Sequence, residues 1–486
     1  MQDKRFFMRS NACIAILWFI LLPAPDLLSQ TGSPVQWDGK SPKNILLFIS
    51  DGWGYNHIKA TNYYMDGMDS TQDYQQFPVH YAMSTYPARM KDDRDVRHWH
   101  TGYNSHLAWS DFEYLKKNPT GSAEAATAMA TGRKTYGKSI GMGEDLTPLF
   151  NITSHAKAMG KSAGVVSSVQ LSHATPAGFV AHNTNRKNYA EIAREMLLDS
   201  KLDVIMGAGH PLYNRDGVMQ DTGHRYDYVG GLETWTDLVA GKLTYTIPGP
   251  GGNHQVQDVD GDGTPDVWTL IQTRDAFKAL MAGPTPKRVC GIPMIHSTLQ
   301  QGRSGSDIKE AFVVPFIPTV PSLAEMTAAA LNVLDNNTSG FFIMVEGGAV
   351  DWANHDNHGG RMIEEQHDFN LAVKAAIRWI EMNGGWEDNL LIVTGDHECG
   401  YLTGPLEREA SPVRNPIINN GAGEMPGMRF NHDDHTNMLI PLFAKGKGSA
   451  LFHLFADEVD YLRGPYINNT EIAQLMFLLW SQAGQE

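Results

Sequence analysis

Asn44-Ile-Leu-Leu-Phe-Ile-Ser-Asp51-Gly52 sets an unbroken apolar run against an acidic residue. A run so short reads as a buried strand. Four more segments repeat the pattern. Ala163–Val169 leads to His173-Ala-Thr-Pro, Asp203–Met206 to Gly207-Ala-Gly, Phe341–Val345 to Glu346, and Leu390–Thr394 to Asp396-His397. Helical patterns separate them at Ser122–Thr131, Asn188–Leu198, Ser322–Leu334 and Glu364–Met382. Alternating strand and helix predicts an α/β fold, a three-layer sandwich around a central, mostly parallel sheet. Ligands of such sheets gather at the carboxyl ends of the strands. The polar clusters stand at those ends, so one shared site is expected. Residues 212–310, rich in Gly and Pro, break the rhythm and read as an irregular insertion.

The 486 residues are 42% hydrophobic and 19% charged, a globular balance. A net charge of -15 argues against a nucleic acid partner. It also offers an anionic substrate no long-range attraction, so a phosphate site would need metals or arginine of its own. Three cysteines, Cys13, Cys290 and Cys399, make no disulfide framework, and Cys290 and Cys399 are not expected to pair. Lys4, Arg5 and Arg9 precede an apolar run from Ala12 to Leu22, followed by Ser29, Gln30, Thr31 and Gly32. This reads as a signal peptide over residues 1–30, leaving a mature protein of residues 31–486, secreted or periplasmic and without a membrane span.

Asp351 and His355 are four apart, so one helical face can aim both at one metal ion. Asp396-His397 turn where a strand ends, and Asp51 and Glu346 are further strand-end carboxylates. Each alone is an ordinary cap or turn residue; the signal is their joint occurrence. Ser122-Ala-Glu-Ala-Ala-Thr-Ala-Met reads either as a capped helix or as a nucleophile at a helix N-terminus, where an anion is favoured.

Taken together, these segments resemble the alkaline phosphatases. The similar segments are Asn44–Gly52, Ser122–Thr135, His173–Arg186, Glu346–His355, Thr394–Glu398 and His435-Thr436, in the family's order. The resemblance implies hydrolysis of small phosphate monoesters through a phosphoserine at Ser122. It implies one zinc on Asp351, His355 and His435, and a second on Asp51, Asp396 and His397. A third ion, usually magnesium, would take Asp51, Thr175 and Glu346, with His173 beside it. Arg186 would grip two phosphate oxygens, and a homodimer is the family's common state. Two cations can clamp the attacking and leaving oxygens of an in-line displacement. A sulfatase or phosphodiesterase of the same superfamily, and a non-catalytic metal-binding relative, are the alternatives. No Cys/Ser-x-Pro-x-Arg motif surrounds Ser122, and no expected ligand is missing.

The chain departs from the family at Gly121, where many members carry an Asp that orients the arginine, and at His173 and Trp352, where some carry Asp and Lys. Glu124 stands where a small residue is common and is expected to face solvent. Weak phosphate binding and a third site less selective for magnesium are the expected consequences. In the insertion, Asp258, Asp260, Asp262 and Asp266 fall at positions 1, 3, 5 and 9 of a calcium loop, with Gly263 at 6. Position 12 is Thr269, so the loop reads either as a structural calcium site or as a solvated acidic turn.

Overall fold

The computed structural model describes residues 39–89, 102–243, 247–249, 252–405 and 415–481. The signal-like segment, Cys13 included, lies outside them. Among the described residues, eleven strands form one sheet. In chain order they are β1 (Asn44–Ser50), β2 (Val79–Ser84), β3 (Ser162–Gln170), β4 (Val204–Ala208), β5 (Thr269–Ile271), β6 (Val289–Gly291), β7 (Phe341–Gly347), β8 (Asn389–Gly395), β9 (Ile440–Gly446), β10 (Glu458–Asp460) and β11 (Gly464–Asn468). Across the sheet they lie as β10-β11-β2-β9-β8-β1-β7-β3-β4-β6-β5. From β8 to β5 all neighbours are parallel, whereas β9 runs antiparallel to both β8 and β2.

Every residue of β1, β7 and β8 is buried, which is why these strands lack polar alternation. Their side chains still alternate between two cores. Ile45, Leu47 and Ile49 pack with helix α1 (Ser122–Thr131) and the C-terminal helix Thr470–Ser481. Leu46 and Phe48 pack on the opposite face with Leu323–Leu334 and Gly359–Met382. The predicted three-layer sandwich is the observed one. Helix α1 is rich in alanine because it is buried along its whole length. Helix α2 (Ala174–Gly178) crosses it so closely that a Cβ on Gly178 would stand 2.7 Å from the Ala126 methyl.

Residues 212–310 contribute β5 and β6, which prolong the sheet beyond β4. Cys290 lies in β6, and Cys290 and Cys399 are free, buried thiols. No helix among the described residues is long and apolar enough to cross a membrane.

Candidate active site

Strand register places the first of the expected site residues. Ser50 lies opposite Gly395 on one side and Gly347 on the other, and Ile49 lies opposite Glu346. Asp51 and Asp396 therefore leave adjacent strand ends together, with Glu346 two residues below the level of Asp51. The backbone then turns sharply at Gly52, whose φ is +73 and whose Cβ, if present, would lie 2.6 Å from the Asp351 Cα. Only glycine meets both demands. Helix α3 (Ala349–His355) carries Asp351 and His355 on one face. His435 arrives through a two-residue ribbon in which Cys399 pairs with His435 and Glu398 with Thr436.

Both imidazoles of the first group are oriented by carbonyl oxygens. His355 Nδ1 lies 2.6 Å from the Asp433 oxygen, and His435 Nδ1 lies 2.8 Å from the Thr120 oxygen. Each Nδ1–H therefore donates, leaving Nε2 an acceptor. The two Nε2 atoms face each other at 3.1 Å, and each is 3.4 Å from an Asp351 oxygen. Two lone pairs and a carboxylate converging on one point fit a cation. In the second group, His397 Nε2 is 3.1 Å from Asp396 Oδ2 and 3.5 Å from Asp51 Oδ1. Near Asp51, the Thr175 hydroxyl and Glu346 Oε1 are buried with no hydrogen-bond partner among the described residues. The other Glu346 oxygen accepts the Ser167 hydroxyl. Such orphans at the ends of parallel strands again suit a bound ion.

The electrostatics agree. Burial, and then the charges of Asp396, Asp351 and Glu346, push the Asp51 carboxyl well above the usual range. Burial raises Glu346 to about 7, and burial with the Asp351 charge raises Asp396 to about 6. Against its burial, His355 and His435 hold the Asp351 carboxyl well below its usual range. Asp51, Glu346 and Asp396 are the buried carboxylates whose penalty cations would remove.

Ser122 is the first residue of α1 rather than its cap. The cap is Gly121, whose N–H donates to Glu124 Oε1 at 2.7 Å. Glu124, expected at the surface, is 5% exposed. Its other oxygen accepts the Lys138 N–H at 2.9 Å, and the Lys138 carbonyl accepts the Arg186 N–H at 2.9 Å. One carboxylate thus ties the turn before Ser122 to the backbone of Arg186. The arrangement leaves the Ser122 hydroxyl free of capping, and it lies 3.4 Å from His397 Nε2. The signal in the sequence was the Glu three residues after a glycine, a residue that caps only slightly less well than serine. Gly121 leaves no room for an easy carboxylate, since a Cβ there would stand 3.1 Å from Glu124 Oε1.

Arg186 Nη2 faces His173 Nε2 at 3.4 Å. Burial and the Arg186 charge lower His173 to about 3, so its neutral ring can accept from the guanidinium. His173 also packs against Trp352 with 5.7 Å between ring centres, and its Nδ1 is buried without a partner among the described residues. Two further residues escaped the sequence reading. Cys399 brings its sulfur into the Asp351, His355 and His435 group, all four ligand atoms lying within 4.8 Å of one another. His57 accepts the Gly54 N–H at Nδ1 and meets the Cys399 carbonyl at 3.1 Å from Nε2, which pins the ribbon carrying His435. His57 stands outside the acidic strand-end clusters, whereas Cys399 follows Asp396-His397-Glu398 directly and could have been found by that position.

The acidic loop lies apart from this site. Asp258 accepts the N–H groups of Gly261 and Gly263 at 2.6 and 2.8 Å. The Lys287 ammonium pairs with Asp260, with Asp262 at 3.6 Å and with Asp266 at 2.6 Å.

Comparison with known proteins follows the same lines. The sequence profile named "Alkaline phosphatase" matches residues 42–238 and 305–448. The chain is 28% identical over 424 residues to alkaline phosphatase 4 of Bacillus subtilis (strain 168), covering 86% of this chain and 75% of that protein. It is 26% identical over 449 residues to the alkaline phosphatase of Escherichia coli (strain K12), covering 87% and 84%. The solved alkaline phosphatase of the Antarctic bacterium TAB5 shares the fold, with a TM-score of 0.57, 24% identity and coverage of 91% and 98%. With a profile match over most of its length and the fold to accompany it, the chain belongs to the alkaline phosphatase family.

Proposed function

We propose that the protein hydrolyses phosphate monoesters through a phosphoserine at Ser122, in a site that holds two zinc ions and a third ion, magnesium by preference. Family membership supports the coarser part, a metal-binding phosphatase acting on small phosphate esters. The observation that carries the finer part is the convergence of His355 and His435 on Asp351 beside His397, with the Ser122 hydroxyl 3.4 Å from the His397 ring. Asp351, His355 and His435 would hold one zinc, and Asp51, Asp396 and His397 the other. Asp51, Thr175 and Glu346 would hold the third ion, with His173 at its edge. Bound cations supply Lewis acidity, which neutralises charge on phosphoryl oxygens and activates an oxygen nucleophile.

The chain's own residues do the rest. Ser122 presents its hydroxyl at a buried helix N-terminus, where free N–H groups favour a phosphoryl group. Arg186 offers a planar fork to two phosphoryl oxygens, and His173 holds that fork by accepting one of its hydrogens. The charge that develops during phosphoryl transfer is met by groups already in place. His173 is also the residue that would tune the third ion. A His-to-Asp variant of the TAB5 enzyme is described as having magnesium bound in its M3 site. We further propose that residues 1–30 are removed as a signal peptide, giving a secreted or periplasmic enzyme of residues 31–486, and that it works as a homodimer.

The decisive experiment compares wild type with Ser122→Ala on an aryl phosphate monoester, an aryl diester and an aryl sulfate. Wild type should favour the monoester strongly and yield an acid-stable phosphoserine at residue 122. The variant should yield none and lose nearly all turnover. Phosphate trapped on another residue, or near-normal turnover in the variant, would refute the assignment.

A further inference from the structure

The Ser122 cavity measures about 500 Å3, within the range of pockets that enclose whole small molecules rather than one phosphoryl group. Ser122, His173 and Arg186 line one part of it. Another part is lined by the inserted segment, through Arg215, Ser297, Gln301 and Ser306. Arg215 is the only arginine or lysine there besides Arg186, and it makes no ion pair within 4.0 Å among the described residues.

This cation sits on a fixed frame. Asn214 Oδ1 accepts the N–H groups of Asp216 and Val218 at 2.9 and 3.0 Å, closing a tight turn around Arg215. The Asp216 carboxylate accepts both the N–H and the hydroxyl of Ser304 at 2.6 and 2.8 Å, which fastens the turn to the 297–306 wall. That wall is anchored in turn by buried Arg303, whose guanidinium donates to Glu364 at 2.8 Å and to the carbonyls of Gln300, Val314 and Pro315. Two exposed carboxylates that line the cavity have donors of their own, and the neighbouring Asp216 carboxylate, which feels the Arg215 charge, is engaged by Ser304. Asp356 accepts from Gln301 at 3.2 Å, and Asp434 from the His435 N–H at 2.8 Å.

We propose that Arg215, flanked by the Ser297 and Ser306 hydroxyls, forms a subsite for the leaving group, and that preferred substrates carry a second anion, a carboxylate or another phosphate, on the part that departs. The inference rests on the reading above, in which the transferred phosphoryl group lies between Ser122 and Arg186. A neutral leaving group gains nothing from a guanidinium held on such a frame. An anionic one gains a charge-assisted contact without the cost of ordering the loop. Because Arg215 is exposed, the contact is screened by salt, and its expected weight is about two- to fivefold in kcat/KM.

The test uses the full, metal-loaded protein and two substrates that differ by one group, 3-phosphoglycerate and glycerol 1-phosphate. The readout is the ratio of their kcat/KM values. Wild type should favour 3-phosphoglycerate by roughly two- to fivefold at low ionic strength, with the ratio falling toward one in high salt. Arg215→Gln should bring the ratio close to one, and Arg215→Glu should invert it. No preference in wild type, with both substrates turned over, would overturn the subsite alone. So would an Arg215→Gln variant that lowers both rates equally and weakens inhibition by inorganic phosphate to the same degree, since the guanidinium would then grip the transferred group. Failure to hydrolyse either substrate would overturn the phosphomonoesterase reading, and the subsite with it.

Discussion

Glu124→Ala separates the buried link from the surface position that the sequence suggests. The carboxylate is 5% exposed and accepts two backbone N–H groups, from Gly121 at 2.7 Å and from Lys138 at 2.9 Å. Hydrogen bonds to a charged partner contribute about 1.5–3 kcal/mol each, and a carboxylate in a helix's first turn adds about 0.3–1 kcal/mol. Water can reach part of the vacated space, so the expected loss is about 3 kcal/mol for Ala and roughly half that for Gln, which keeps one acceptor. Denaturant unfolding at matched metal concentration measures this. Activity should fall by more than the folded fraction explains, because the Lys138 carbonyl that accepts the Arg186 N–H loses its anchor. Inorganic phosphate should therefore inhibit Glu124→Ala less strongly than wild type. An Ala variant within about 0.5 kcal/mol of wild type, the usual range of a surface change, with unaltered phosphate inhibition would refute the reasoning.

Chelation should abolish activity and zinc should restore it, with magnesium adding to the effect; fully active protein that contains no transition metal by elemental analysis would contradict the eight-ligand assignment. The metal-free protein should also unfold at lower denaturant, since ions that bind only the folded state stabilise it. At the acidic loop, calcium has to displace the Lys287 ammonium from Asp260 and Asp266; a calcium-dependent rise in the unfolding midpoint that grows in Lys287→Met would establish a structural calcium site, and no shift in either protein would leave a lysine-neutralised turn. Burial raises the Cys290 thiol to about 12 and the Cys399 thiol well above its usual value. A thiol reagent at pH 8 should therefore label neither in the native protein and both after unfolding, as read by peptide mass spectrometry.

The sheet and the residues gathered at its strand ends were legible because the relevant physics is local. A strand buried on both faces is uniformly apolar, and a parallel strand ends at the site, so Asp51, Glu346 and Asp396-His397 announce themselves by position. Asp351 and His355 follow from helical spacing. His435 has no such signature; it reaches the centre only through its pairing with Cys399, across a separation that no local pattern encodes. His57 is hidden for the same reason, whereas Cys399 stands beside Asp396-His397-Glu398 and was read only as a thiol without a partner. Glu124 was misplaced because Ser122 was read as the cap, although the helical bounds Ser122–Thr131 are the observed ones. With Ser122 as the cap, position 124 falls where a side chain can face water; with Gly121 as the cap, it becomes the third helical residue, whose carboxylate reaches back to the cap.

That shift also reorganises the departures from the family pattern. Gly121 lacks the carboxylate that would orient Arg186, and an Asp introduced there would meet Glu124, whose nearest oxygen is 3.1 Å from the new Cβ. Two carboxylates so close repel, so one would take a proton or swing away. The two residues are therefore coupled, and the orienting task has moved elsewhere. Glu124 holds the Arg186 backbone through Lys138, while the neutral His173 ring accepts from the guanidinium itself. His173 cannot give the same lone pair to an arginine and to a third ion. Its Nε2 faces Arg186 and its Nδ1 is left bare, so an ion drawing on Nε2 would loosen the phosphate clamp. Exchange of His173 for Asp should thus alter magnesium dependence and phosphate affinity together, whereas two independent residues would let one change without the other.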